Sequence, residues 1–144
     1  MTSNIRWGRI IVAAILLEIA ITAVAVPVGF AFGSPMQSQP GGPPVDPTVY
    51  NVVVALACFV LGAAFGAWAV GRATSGFALQ GLLVGVVAMA LYFGLCAAAP
   101  GGIAGVIAGY GLTLFVMFNA LRTLGCVAGA TYRGARISRE RPAV

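Results

Sequence analysis

Along the chain, long apolar runs alternate with short polar breaks. Four runs reach the roughly 20 residues needed to cross a bilayer core about 30 Å thick. They are residues 10–32, 49–70, 77–98 and a fourth within 103–131. This pattern predicts an all-α fold, an integral membrane bundle of four transmembrane helices with residues 1–144 forming one membrane domain. The only sizeable connection, 33–48, contains Pro35, Pro40, Pro43, Pro44 and Pro47, a composition that favours extended, solvated backbone over a folded domain. The other links are short, so the helices they join are expected to be antiparallel neighbours. Residues 132–144 read as a basic tail.

The fourth run is long enough for two registers, 103–121 or 112–131. An internal similarity bears on the choice. Leu61-Gly62-Ala63-Ala64-Phe65-Gly66-Ala67 and Leu124-Gly125-Cys126-Val127-Ala128-Gly129-Ala130 both read L-G-x-x-x-G-A, and each is followed within a few residues by Arg, at Arg72 and Arg133. Two related hairpins would produce this match; chance in a chain with 20 Gly is the rival reading. If the hairpins are related, 124–130 lies within the membrane and 100–111 becomes a lead-in segment or a loose first turn. In that register Arg122 is 11 residues, about 16 Å, from Arg133. In the other it sits at the boundary and snorkels.

Composition agrees with the membrane reading: 60% of residues are hydrophobic and 8% charged, against about 25% charged in soluble domains. All eight basic residues are Arg, and the acids are Glu18, Asp46 and Glu140. A pI near 9.7 raises the question of nucleic acid. Half of the Arg residues, however, lie in the last twelve positions, beside a span, where they serve topology and attraction to anionic lipid. No nucleic-acid partner is expected. Arg6 and Arg9 precede the first span, Arg72 follows the second, and Arg133, Arg136, Arg139 and Arg141 follow the fourth. With basic residues facing the cytoplasm, both termini are expected inside and the Pro-rich loop outside, in a bacterial inner membrane. A cleaved signal peptide ending near Ala31-Phe32-Gly33 is the competing reading; the apolar run is longer than the usual h-region and contains Glu18. Cys58, Cys96 and Cys126 all lie in apolar runs, without disulfide or zinc spacing, and are expected to be small packing residues. No metal or cofactor is expected.

Two charges remain inside the apolar runs. Glu18 is nine residues beyond Arg9, about 13 Å along the first helix, close to the depth of Arg122 in the deeper register. A lone charge at mid-membrane costs about 2.5–3.5 kcal/mol on insertion scales, so each of these prefers a partner. An intramembrane pair of Glu18 with Arg122 is the candidate site. Thr22 is one turn above Glu18 and Ala14 one turn below. Asn119, Arg122, Gly125 and Gly129 share a helix face. The pair can serve only to fix helix register, or it can form a proton or substrate site.

Small residues at helical spacing, Gly62 with Gly66, Gly81 with Gly85, Gly125 with Gly129, and Gly101 with Gly105 and Gly109, provide close-packing faces. Such faces also suit a homo-oligomer or a membrane-protein partner. Gln80 can bond another helix or face the headgroups, the latter being the stronger expectation. Trp7, Trp68 and Tyr132 are expected as anchors at the inner boundary and Tyr50 at the outer one.

Gly66-Ala67-Trp68-Ala69-Val70-Gly71-Arg72, Gln80 with the following Gly81 to Gly85, and Asn119 through Gly129 resemble small uncharacterised bacterial four-helix integral membrane proteins. There, His often stands in place of Gln80 and Lys in place of Arg122. That resemblance implies a bundle and no activity. Ala14-Ile15-Leu16-Leu17-Glu18-Ile19 is locally similar to the first helix of small multidrug resistance transporters, whose membrane glutamate binds protons and cationic drugs. This would make Glu18 a coupling residue, although the Pro-rich loop, Arg122 and the one-sided Arg distribution depart from that family. Enzymatic chemistry is not expected. There is no His or Lys and no pairing that would activate a nucleophile, and Asp46 and Glu140 fall on opposite sides of the membrane. The 101–111 stretch lacks the Lys-Ser/Thr ending of a phosphate loop. Two functions stay open: a non-catalytic structural or accessory membrane component, and a small proton-coupled transporter using Glu18.

Overall fold

A computed structural model describes residues 5–34, 46–71, 73, 75–99 and 101–140. Most of the Pro-rich loop, Arg72 and Arg141 lie outside the described residues. The elements are α1 (Trp7–Phe32), α2 (Thr48–Ala69), α3 (Phe77–Ala98), α4 (Gly102–Tyr110) and α5 (Leu112–Glu140), with no strand among the described residues. The fold is all-α. Four of the helices, all but α4, are long and apolar enough to span a membrane, and the chain is a multi-pass membrane protein. Ile19, Phe30, Leu56, Val60, Leu95 and Leu124 are exposed on the outside of the bundle, where lipid rather than water accounts for them.

The turn chemistry is local. Asp46 accepts hydrogen bonds from the hydroxyl and the backbone N–H of Thr48, which ties down the start of α2. These bonds favour the charged form and hold the Asp46 carboxyl below its usual range. Gly76, in the left-handed region at φ 69°, precedes α3.

Within 103–131, where the sequence leaves two registers open, the structure has two helices, the second beginning at Leu112. Gly111 adopts φ 77°, ψ 145°, a region essentially reserved for glycine, and it divides α4 from α5. The Gly111 carbonyl accepts the Phe115 N–H at 3.1 Å and so opens the new helix. This break selects the 112–131 register and places Arg122 well inside a membrane-length helix. The apolar run ends near Thr131, but α5 continues to Glu140; the expected tail is helical over 132–140. Arg is a good helix former, and Arg139 in the last turn suits the negative end of the helix dipole. Gly101 is the left-handed N-cap of α4, so it does not share a helical face with Gly105 and Gly109. Replacing Gly111 by Ala is expected to lower unfolding stability by about 1–3 kcal/mol, measurable by thermal unfolding of the purified protein.

In the bundle α2 and α3 each touch both α1 and α5, and meet each other more lightly. By contrast, α1 and α5 share no Cα pair within 8 Å and lie diagonally opposite. The closest pairing is α2 with α5, and it is made by the two L-G-x-x-x-G-A segments against each other. A Cβ on Gly62 would stand 2.7 Å from the Arg122 carbonyl oxygen. On Gly66 it would overlap the Cys126 backbone, on Gly125 that of Phe59, and on Gly129 that of Ala63. Gly85 holds α3 against Thr123, and Gly81 against Cys126 and Ala130. Gly134, not anticipated, makes room for the Phe77 ring.

Candidate functional site

The polar centre is built by two helices that do not touch. Arg122 Nη1 lies 2.7 Å from Glu18 Oε1, and the two side chains bridge the diagonal between α5 and α1. Both are deeply buried, Glu18 at 6% and Arg122 at 2% exposure. Their depth follows from sequence. Glu18 shares the inner face of α1 with Ile10, Ala14, Leu17 and Ile21. Arg122 shares that of α5 with Phe115, Phe118 and Gly125. Small residues at Ala14, Gly62 and Gly125 bring the neighbouring helices close enough for two long side chains to meet.

The guanidinium also lies over the Tyr92 ring, 4.8 Å from its centroid, a cation–π contact that strengthens where water is excluded. Yet the contact with Glu18 is a charge contact more than a well-aligned hydrogen bond. Glu18 Oε1, Arg122 Nη1 and Arg122 Nε are buried with no hydrogen-bond partner among the described residues. A buried ion pair offsets its desolvation only when such capacity is also met.

Beside the pair is a cavity of about 420 Å³. Glu18, Thr22, Cys58, Tyr92 and Arg122 border its polar end; Ile21, Ala25, Val26, Val54 and Phe118 line its sides; Gly29, Ser34, Tyr50 and Tyr110 close the far end. All five helices contribute. Tyr50 and Tyr110 meet through their hydroxyls at 2.8 Å, with rings stacked at 6.2 Å, and Tyr110 sits edge-on to Phe118. This contact ties α4 to α2. Tyr50→Phe should cost about 0.5–1.5 kcal/mol of unfolding free energy, with Tyr110→Phe adding little on top, as a double-mutant cycle would show.

The remaining expected residues divide. Asn119 is buried and donates through Nδ2 to the Phe115 carbonyl at 2.8 Å, within its own helix; its Oδ1 has no partner among the described residues. Thr22 borders the cavity but is exposed on the outside of α1, so it is not part of a closed polar cluster. Gln80 corrects the headgroup expectation. It is 1% exposed and on the same buried face as Gly81, Val84 and Gly85, and it donates to the Ser75 carbonyl at 3.4 Å. Tyr50 corrects the boundary-anchor expectation, because a hydroxyl partner inside the bundle lets it be buried. Trp7, Trp68 and Tyr132 are exposed. Arg9 donates to the Trp68 carbonyl and lies over its ring, and with Arg133 it borders a shallow pocket at that end of the bundle.

Sequence reasoning missed Tyr92 and Cys58 beside the pair and Tyr110 at the far end of the cavity. A tyrosine within an apolar span was the available signal, since its hydroxyl needs a partner when buried. All three cysteines are buried and free. Against known proteins, no family, no curated protein and no solved structure matches this chain.

Proposed function

We propose that the chain is a non-catalytic structural or accessory component of a bacterial inner membrane, with both termini in the cytoplasm. The observation that carries this reading is the Glu18/Arg122 bridge. Each charge occupies the other, and together they join the two helices that have no backbone contact. Arg9 and Arg133 border one pocket, which supports a single basic, cytoplasmic end. The exposed apolar surface meets lipid, and a homo-oligomer or a membrane-protein partner would dock on it. Exchanging the charges, Glu18→Arg with Arg122→Glu, should restore the expression of folded protein that each single change loses. Normal expression of both single variants would sink the proposal.

The second reading, a small proton-coupled transporter using Glu18, is favoured by one observation: the carboxylate borders a cavity that runs toward Ser34 and Tyr50. Proton release on adding an organic cation to the purified protein, abolished by Glu18→Gln, would establish it. Silence across a varied set of cations leaves the structural reading.

A further inference from the structure

We infer that the cavity beside the ion pair binds an uncharged amphiphile. Its compact amide- or hydroxyl-type head would be set against Glu18 and Arg122, and its apolar body among Ile21, Val26, Val54 and Phe118. This goes beyond a structural role and does not depend on proton coupling.

Size and shape come first. A volume of about 420 Å³ falls within the roughly 300–1,000 Å³ of ordinary small-molecule sites, which are mostly apolar with a few convergent polar groups. Here the two charged groups are gathered at one end, while the Tyr50 and Tyr110 hydroxyls at the other are taken up by each other. The second observation is unmet hydrogen bonding at the charged end: Arg122 is 2% exposed, and its Nε has no hydrogen-bond partner among the described residues. Glu18 Oε1 is met by Arg122 Nη1 at 2.7 Å, and a carboxylate has acceptor capacity beyond one such contact. A head that both accepts and donates, such as a primary amide, addresses the guanidinium and the carboxylate together.

Charge then selects against ions. The pair is neutral as a whole, so an added cation would be set beside Arg122 and an added anion beside Glu18, each in a site screened from water. The rings do not form a cage for a cation either. Arg122 covers Tyr92, and the rings of Tyr50 and Tyr110 stack on each other.

A third observation concerns the route. Glu18 also stands at the base of two apolar grooves between α1 and α3, bordered by Ile15, Ile19, Leu91, Gly94 and Leu95. These grooves open on the lipid-facing side, where an amphiphile dissolved among acyl chains is already concentrated.

The test uses the full chain in phosphatidylcholine nanodiscs and three probes sharing one body: para-butylbenzamide, para-butylbenzoate and para-butylbenzylammonium. Binding is read by equilibrium dialysis and saturation-transfer NMR against protein-free discs. The benzamide should bind saturably and at least about tenfold more tightly than either ion. Ala25→Phe, which fills the cavity wall away from the pair, should weaken it by a similar factor. Thr22→Phe, at an exposed position bordering the same cavity, takes its place if Ala25→Phe fails to assemble. No saturable excess over protein-free discs would mean that the cavity holds water only, and would overturn the inference. So would equal or tighter binding of an ion, or unchanged binding in the filled variant.

Discussion

Replacing Arg122 by Leu is expected to insert into the membrane at least as well as the parent chain and yet to fold about 3–5 kcal/mol less stably. The two effects act at different stages. On insertion, Leu contributes about −0.3 to −0.6 kcal/mol where Arg costs about 2.5–3.5, so membrane delivery of α5 improves. In the assembled bundle, Glu18 is then left 6% exposed with its only ion-pair partner among the described residues gone. Removing one member of a buried pair costs about 3–5 kcal/mol because the other charge remains. The double change Glu18→Leu with Arg122→Leu is expected to regain most or all of that loss, since apolar replacement of a whole buried pair is often neutral or stabilising. Membrane fractionation measures the first stage and thermal unfolding of purified protein the second. Equal stability of Arg122→Leu and the parent would mean that the bridge contributes nothing to the fold.

Gly129→Ala is the second large effect expected, from a single methyl group. That group would overlap the Ala63 backbone of α2, and backbone cannot rotate aside as a side chain does. The helices must separate, at a cost of at least about 1–3 kcal/mol. Separation should reach further, because the Arg122 carbonyl lies against Gly62 on the same interface; loosening α2 from α5 also moves the base of the guanidinium. Gly94→Ala is the matched control. Nothing lies within 4 Å of a Cβ there, and alanine should gain roughly 0.5–1 kcal/mol in helix stability. Equal unfolding temperatures for the two variants would remove the argument for close packing.

The four spans were legible because lipid imposes length and apolarity on any helix that crosses it. The meeting of Glu18 with Arg122 was foreseeable for a related reason: two expensive charges at similar distances from the basic flanks have few other partners. What surrounded them was less readable. Tyr50 and Tyr110 look like any aromatic residue near a span end until their hydroxyls are seen to meet. Gly111 breaks a helix, whereas Gly85 and Gly94 continue one, although in sequence each is simply a glycine between aliphatic or aromatic residues. Glycine permits both outcomes, and packing of α4 against α3 and α5 decides between them. Gln80 was misplaced because a polar side chain near a helix start ordinarily reaches for headgroups; Gly81 and Gly85 turn that face inward and bring Gln80 with it.

The diagonal bridge also has a consequence for biosynthesis. Its two halves are about 100 residues apart in the chain, and synthesis proceeds at about 5–20 residues per second. Glu18 therefore leaves the ribosome roughly 5–20 seconds before its partner. Throughout that interval α1 carries its carboxyl without the Arg122 partner it has in the finished bundle. Because α1 packs on α2 and α3 and not on α5, the helix can dock early, and only its charge bridge waits for α5.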